Sequence, residues 1–372
     1  MRVKDASRFR LRVLPVIALL LLLPAISYGQ AVIKVNDNIS VRFGALVQAW
    51  ADAAQNPTTK GYAENLFLRR MRILISGTLS PSVSFFFQTD NPNLGKAPKA
   101  LGSGFLTQDA YLEWKPRSNA FMLDAGLMLP PFCRDCLGSA GALLSLDYNS
   151  WSFLASGPTQ SSVGRDTGFQ AKGYLAGGHF EYRAALLQGV RVPATTTPAP
   201  GSSIARNGFR ITARGQYDVW DTETGYVYPE VYFGNKRILA IGGGLDHQQD
   251  FKAYTVDGQL SVPVAKNAFN GILTLYSFDG GTTFAAIPEQ KDAALQAGFY
   301  LAPMKVMPFV RYERQSFKAS ASKPNDNNRE QLGLAWYSSG NNFNIKAAYT
   351  RVDPRTGRTT NQYTVQTQFF YY

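Results

Sequence analysis

The residues after position 38 alternate between apolar and polar side chains with a period of two over long stretches. Residues 209–214 place Phe, Ile and Ala on one face and Arg, Thr and Arg on the other. Residues 254–262 and 343–350 alternate in the same way. Because successive side chains of a β-strand point to opposite faces, each stretch predicts a strand with one apolar and one polar face.

The length and number of these segments favour a transmembrane barrel over a soluble sandwich. They span about 9 to 14 residues, whereas ordinary strands average about 5 to 6 and a tilted membrane strand needs about 9 to 11. The sequence therefore predicts an all-β fold, a transmembrane antiparallel β-barrel of about 16 strands. The predicted strands are 39–52, 65–79, 82–90, 105–115, 119–128, 165–175, 177–189, 206–218, 236–248, 251–264, 268–279, 290–302, 304–317, 327–338, 341–353 and 359–372.

The connections between these strands alternate between short and long, which is typical of outer-membrane barrels with periplasmic turns and external loops. Both chain ends are then predicted to lie on the periplasmic side. Two links do not fit this scheme: 219–235 is too long for a periplasmic turn, and 248–250 is too short for an external loop. The strand count could therefore lie anywhere from about 14 to 18 on the sequence alone.

The first 29 residues have the three-part pattern of a secretory signal peptide. A basic stretch at 1–12 precedes an apolar run at 13–23, and Ser27 and Gly29 have the spacing of a cleavage site. A membrane anchor would need about 20 apolar residues. We therefore expect residues 1–29 to be removed and residues 30–372 to form a single barrel domain in the outer membrane of a diderm bacterium.

The net charge of the chain limits the kinds of molecule that it is expected to bind. The formal net charge is +12, and the excess of Lys and Arg persists when the first 29 residues are left out. Secretion and the lack of a long basic run argue against nucleic acid, so we expect small anionic or hydrophilic solutes and membrane lipid as partners. No cofactor is predicted.

Several short motifs in a fixed order resemble the phosphate-selective porin O and P family. They are residues 66–72 (LFLRRMR), 77–81 (GTLSP), 85–87 (FFF), 108–114 (QDAYLEW), 125–132 (AGLMLPPF), 164–170 (GRDTGFQ) and 308–312 (PFVRY). The resemblance covers nearly the whole mature chain. It implies a 16-stranded porin, commonly a trimer, whose third external loop folds inward as a constriction and whose lumen Arg and Lys residues set selectivity.

The third external loop is predicted to be residues 129–164, the longest unpatterned stretch. Its apolar middle, residues 140–146, would suit packing against an inner wall, whereas the alternative is a disordered external loop. Cys133 and Cys136 lie at its root and could form a disulfide in the oxidising periplasm. These two ligands do not suffice for a metal site, and a structural role is favoured over a redox role.

The candidate selectivity residues are bases on the predicted lumen face or beside loop 129–164. They are Arg70, Arg72, Arg134, Arg165, Lys172, Arg210, Arg214, Arg311 and Lys346. Acids on the same faces predict that many of these bases instead brace the wall as ion pairs. Arg69 falls on the apolar face, so it must reach a rim or lie at a bulge.

Phosphate-specific members of the family carry a regular ladder of arginines along the pore, and this sequence shows no such ladder. The sequence therefore predicts a passive diffusion channel with a weak to moderate preference for anions, and leaves phosphate open as the selected anion.

Two other functions fit the sequence less well. A barrel hydrolase would need a His general base, but neither His179 nor His247 lies in a triad pattern, so no catalytic residue and no enzyme activity are predicted. A non-conducting adhesion barrel would lack a polar lumen and an inward loop.

The chain ends in four aromatic residues, 369–372. Phe369 is predicted to face lipid, and Phe370 and Tyr372 to lie below the membrane or to twist outward at the rim. The terminal Tyr372 resembles the signal by which the outer-membrane insertion machinery recognises barrels.

Overall fold

The computed structural model describes residues 31–372 except 100, 103, 160, 162, 163, 191–207, 320, 321, 323 and 324. The predicted leader, residues 1–29, therefore lies outside the described residues, as do the first two residues of the predicted strand 206–218. The strands are β1 Ala31–Lys34, β2 Ser40–Gln55, β3 Tyr62–Ser80, β4 Val83–Asp90, β5 Leu106–Trp114, β6 Met122–Met128, β7 Asp166–Leu175, β8 Phe180–Leu187, β9 Arg210–Asp218, β10 Ile238–Gln248, β11 Phe251–Val264, β12 Asn267–Asp279, β13 Gln290–Tyr300, β14 Val306–Phe317, β15 Asn327–Ser339, β16 Phe343–Pro354 and β17 Thr360–Tyr371.

Strands β2 to β17 form a closed antiparallel barrel. Each pairs with the next along the chain, and β17 pairs back to β2 from Gln362 opposite Ala54 to Tyr371 opposite Ala45. The prediction of sixteen strands is confirmed, and every predicted segment overlaps one observed strand. Among the described residues, no helix has the length and apolar character needed to cross a membrane.

The barrel is polar inside and apolar outside. Along β11, Thr255, Asp257 and Gln259 are buried, whereas Tyr254 and Val256 are more than half exposed, at 56% and 60%. This arrangement reverses that of a soluble protein and is what a barrel wall in lipid requires. The alternation read from the sequence therefore assigns the correct face along this strand.

The short link at 248–251 is a true external hairpin. Gln248 pairs directly with Phe251, and Gln249 takes a positive φ of 57° in the two-residue turn between them. Asp250 accepts hydrogen bonds from the backbone N–H of Thr282 (2.7 Å) and of Thr283 (3.0 Å). The neighbouring external loop thus holds this turn, so a short loop here is compatible with sixteen strands.

The long link between β9 and β10, residues 219–237, does not behave as a periplasmic turn. It enters the barrel, where Glu223, Tyr228, Glu230 and Val231 are buried. We call it the inner segment. The sequence identified its length as anomalous but did not predict its position.

A short strand precedes the barrel. Strand β1 pairs with β2 from Ala31 opposite Phe43 to Lys34 opposite Ser40. It extends the edge of β2 beyond the place where β17 ends, at Ala45. Only the sixteen barrel strands were predicted, so β1 is an addition to that scheme.

The position predicted for the terminal rings is wrong for Phe370 and Tyr372. Phe370 packs inside the barrel on loop 129–164, where a Cβ on Gly141 would lie 2.4 Å from its ring. Tyr372 makes an edge contact with Phe86, with ring centroids 6.1 Å apart. The loop supplies an apolar surface within the lumen, so these rings need not leave it. Phe369, as predicted, is exposed on the outer face.

Gly126 in β6 lies where the backbones of β5 and β6 come unusually close, and a substitution there tests this close approach. It has a φ of +141°, and a Cβ there would lie 2.2 Å from the carbonyl oxygen of Ala110 on β5. We predict that Gly126→Ala lowers the free energy of unfolding by at least about 2 kcal/mol, because both strain and a backbone clash oppose it. Urea titration of tryptophan fluorescence in micelles measures the change.

Gly215→Ala is the matched control. A Cβ at Gly215 would meet only the ring of Phe180 at 3.7 Å, which is ordinary contact. Equal stability of the two variants would contradict the proposed close approach of β5 and β6.

Candidate pore and constriction

Residues 129–164, here called loop three, lie inside the barrel. The side chain of Gln48 on β2 donates to the carbonyl of Ala140 at 2.9 Å, and that of Gln368 on β17 donates to Gly141 at 2.7 Å. The Lys346 ammonium on β16 donates to the carbonyls of Leu143 and Ser145, the latter at 2.9 Å. The loop leaves β6 and therefore crosses the lumen to the opposite wall.

The apolar middle of loop three packs where its sequence indicated. Leu144 and Leu146 join a buried cluster with Met307, Phe309 and Tyr337 on the inner faces of β14 and β15. Most of the inner wall is polar, so this apolar patch is a specific packing site for the loop.

The root of loop three is a tight turn closed by a disulfide between Cys133 and Cys136. The turn directs Arg134 into a buried set of acceptors. Its guanidinium donates to Gln259 (2.8 Å), Gln216 (2.9 Å) and Glu223 of the inner segment (2.7 Å). Arg134 therefore joins the loop, the wall and the inner segment.

The inner segment runs alongside loop three and hydrogen-bonds to it through the backbone. The Tyr228 N–H donates to the carbonyl of Leu137 at 2.9 Å, and the N–H of Ser139 donates to Tyr228 at 2.8 Å. The N–H of Glu230 donates to Ala142 at 2.9 Å. Two chain segments that enter from opposite ends of the barrel thus form one inner body.

The far part of loop three carries Asp147, which pairs with two arginines of β3. The β2–β3 register skips Arg69, so that Arg69 and Arg70 both reach the lumen and Arg69 lies at a bulge, one of the two predicted options. Arg69 Nη2 lies 2.8 Å from Asp147, and Arg70 also contacts that carboxylate. Although burial opposes its charge, these guanidinium groups lower the pKa of Asp147, so the carboxylate stays ionised.

Two open cavities lie on either side of Tyr148. The periplasmic cavity, at the end with the short turns, has a volume of about 640 Å³, and the external cavity has about 370 Å³. Tyr148 lines both, and its hydroxyl donates to the carbonyl of Gly138 at 2.8 Å. Arg70 lies over its ring at 5.2 Å from the centroid.

Eight of the nine candidate bases are paired with carboxylates among the described residues. Arg72 lies 2.9 Å from Asp90, and Arg165 lies 3.1 Å from Asp109. The other pairs are Arg70–Asp147, Arg134–Glu223, Lys172 with Glu113 and Asp124, Arg210 with Asp166 and Asp246, Arg214–Asp257 and Arg311–Glu313. Lys346 instead binds loop three carbonyls.

Only some of these bases reach an open cavity. Arg72, Arg165 and Lys172 line the periplasmic cavity, and Arg311 lines the external one. Arg70, Arg134, Arg210, Arg214 and Lys346 lie outside the linings of both cavities and hold the wall, the loop or the inner segment in place. Sequence reasoning missed Asp147 and Tyr148 as cavity residues, because nothing in their spacing places loop residues against the wall. It also missed Arg329, which lies on β15 and lines the external cavity.

The two histidines hold backbone carbonyls. His179 Nδ1 lies 2.7 Å from the carbonyl oxygen of Asp218, and His247 Nδ1 lies 2.9 Å from that of Phe251. Within the described part of the chain, His, Cys, Asp and Glu side chains form no group of three or more suited to a metal ion.

The fold and the occupied polar lumen define an outer-membrane β-barrel of the porin class. The family model described as phosphate-selective porin O and P matches residues 37–217, from just before β2 to the last residue but one of β9. This match confirms the resemblance to that family over residues 37–217, whereas the motif at 308–312 lies outside the match. The chain is an outer-membrane porin.

Solved porins share the fold at low sequence identity. The anion-selective porin from Comamonas acidovorans aligns with a TM-score of 0.61 at 13% identity, over 90% of this chain and 100% of that one. OmpF of Salmonella typhi, in complex with daunomycin, aligns at 0.59 and 10%, over 92% and 100%. The outer membrane channel DcaP of Acinetobacter baumannii aligns at 0.56 and 11%, over 91% and 99%. No curated protein matches the chain in sequence.

Glu230 makes the joined loop and inner segment sensitive to pH. Its carboxylate accepts from the N–H of Leu144 at 2.7 Å, and burial, with the charge of Asp135, raises its pKa to about 7. An unfolded Glu ionises near pH 4.3. The folded state therefore binds more protons between these pH values, and stability falls as the pH rises through that window.

We predict that Glu230→Gln removes this contribution. The loss of unfolding free energy on going from pH 5 to pH 8 should be smaller in the variant than in the parent, as measured by urea titration. An identical pH dependence in the two proteins would show that Glu230 is ionised throughout.

Proposed function

We propose that this porin is a passive diffusion channel for small hydrophilic solutes with a weak to moderate preference for anions. The observation that carries the proposal is the charge on the cavity walls. The periplasmic cavity is lined by the bases Arg42, Arg72, Lys115, Arg165 and Lys172 and by the acids Asp109 and Glu113. The external cavity is lined by Arg69, Arg311 and Arg329 and by Asp147.

An excess of wall bases attracts anions into a narrow pore, because low-dielectric walls concentrate the field of the lining charges. The ion pairs limit this effect. Arg165 and Lys172, for example, each lie within 3.1 Å of a carboxylate oxygen. A moderate preference follows from bases that outnumber acids but are mostly neutralised nearby.

Loop three is the proposed constriction. The two cavities share the residue Tyr148, and Arg70, Arg72 and Arg165 are close enough to influence its hydroxyl electrostatically. A solute that passes from one cavity to the other would experience the charge of these three bases. Of the nine predicted selectivity residues, we propose that Arg72, Arg165, Lys172 and Arg311, which line a cavity, contact solutes, and that Arg70 acts on them only through its charge. We propose that the others support the barrel wall or the inner body.

Phosphate is proposed as one permeating anion among others. In the phosphate-specific channels of the family, arginines line the path as a ladder, whereas the bases here are spread over two cavities and paired with acids. Free guanidinium groups in series would be needed to replace the water around a divalent anion.

The remaining proposals concern assembly. Residues 1–29 are proposed to direct export and to be cleaved, and the end of the chain at Tyr372 to engage the insertion machinery. A homotrimer is proposed because the family resemblance implies one, and OmpT of Vibrio cholerae, a neighbour with a TM-score of 0.50, is described in a trimer form. Catalysis is not proposed, since each histidine is engaged with a backbone carbonyl.

The charge proposal is tested by the zero-current potential of the purified protein in a planar bilayer under a KCl gradient. We expect an anion-selective potential. Asp147→Asn should increase the chloride-to-potassium permeability ratio by about two- to fivefold, because a unit charge about 4 Å away is worth about 1 kcal/mol in water. Glu330→Gln, an exposed acid outside both cavities, is the matched control and should leave the ratio unchanged.

A cation-selective potential would refute the anion preference, and a non-conducting protein would refute the channel. Absence of current block by millimolar phosphate would exclude phosphate specificity. A lipid-hydrolysis assay with His247→Ala as its control tests the enzyme alternative, and activity lost in that variant would overturn the non-catalytic assignment.

A further inference from the structure

We propose that the periplasmic cavity binds aromatic anions, with aryl carboxylates as the preferred class, while they pass through the channel. The inference rests on the proposed anion-preferring diffusion function and names the solute class for the same pore. It follows from two features of the cavity wall, an aromatic surface and a set of bases beside it.

The aromatic surface is unusual for a porin lumen, which is ordinarily polar. Partly exposed rings from four parts of the chain line this one cavity: a strand, loop three, the inner segment and the end of the chain. These rings are Phe86, Tyr148, Tyr226, Phe370 and Tyr372. Ring faces exposed to water are unfavourable unless a partner covers them, so a wall of them favours an aromatic solute.

Three of these rings, Phe86, Tyr226 and Tyr372, form a continuous wall with Tyr111. Tyr226 lies 4.8 Å from Tyr111 and 5.8 Å from Phe86, measured between ring centroids. Phe86 in turn lies 6.1 Å from Tyr372. These separations are those of aromatic pairs that attract, and a further ring can add to such a wall by stacking or by an edge contact. The cavity, at about 640 Å³, lies within the range of small-molecule sites.

The tyrosine hydroxyls are already engaged and leave the ring faces as the available surface. Tyr226 donates to Asp109 at 3.0 Å and accepts from the N–H of Leu129 at 2.7 Å. Tyr148 donates to Gly138. These side chains are therefore fixed, and they offer a solute apolar area rather than a donor for a small inorganic anion.

The bases stand beside this wall. Lys172 Nζ lies 5.7 Å from the ring centroid of Tyr226, and the Arg42 guanidinium lies 5.8 Å from that of Tyr372. Arg72 and Arg165 line the same cavity. A planar anion could thus lay its ring on the wall while its carboxylate faces a base, and an aryl cation would meet repulsion at the same place.

The test compares solutes on the unmodified protein in a planar bilayer. Benzoate and cyclohexanecarboxylate share charge and approximate size and differ in aromaticity. We expect benzoate to reduce the chloride current at a concentration about tenfold lower than cyclohexanecarboxylate does, a difference of about 1.4 kcal/mol. Benzylammonium should not reproduce the block. Equal potency of the two carboxylates would overturn the inference.

Variants test whether the preference for benzoate arises from the aromatic wall of the periplasmic cavity. Phe86→Leu keeps an apolar side chain but removes a ring, and should reduce the tenfold preference to about threefold or less, because a solute ring loses one of its aromatic contacts. Tyr226→Phe keeps the ring and should retain most of the preference. Phe169→Leu removes a ring from the outer face of β7, where Phe169 is 59% exposed, and should change nothing.

The two proposals can fail separately. An anion-selective KCl potential combined with equal potency of the two carboxylates would leave the diffusion function standing and refute the aromatic preference. A cation-selective potential would refute both. A benzoate preference that survives in Phe86→Leu and is lost in Phe169→Leu would place the effect at the lipid surface and would also refute the inference.

Discussion

The backbone hydrogen bonds that join β17 to β2 are the interaction on which the rest of the structure depends. Lipid offers no partner to an exposed amide, so a sheet can cross it only when its two edges meet. Ten residue pairs, from Gln362 opposite Ala54 to Tyr371 opposite Ala45, make that junction. Once the barrel is closed, every second side chain of each strand must point inward, and the residues at those positions determine the chemistry of the lumen.

The closed wall could be predicted from the sequence because period-two alternation is a local property. All sixteen strands were predicted in this way, and β11 shows why, since every second residue from Phe251 to Ser261 is buried on the lumen side. The carboxylates that pair with the lumen bases could not be predicted from the sequence. Arg214 and Asp257 are 43 residues apart and meet only because of the registers of β9, β10 and β11. For Arg69 the sequence left two options, a rim position or a bulge, and the β2–β3 register shows that it lies at a bulge.

The positions of the inner segment and of the terminal aromatic rings could not be predicted from the period-two alternation. Residues 219–237 have no periodicity that separates a buried segment from an ordinary polar loop, and only their length was anomalous. Their place in the lumen depends on contacts with loop three, such as the backbone pairing of Tyr228 with Leu137 and Ser139. Phe370 was misplaced for the same reason, because the surface that covers it belongs to Gly141, far away in sequence.

The contacts of loop three with Gln48 and Gln368 have a consequence for the order of folding. These two glutamines stand on the first and last strands of the barrel, and Gln48 also donates to Gln368 at 2.7 Å across the junction. The loop is thus fastened to both sides of the seam at which the barrel closes. The loop can complete these contacts only as the seam forms, so closure of the barrel and placement of the proposed constriction are parts of the same folding step.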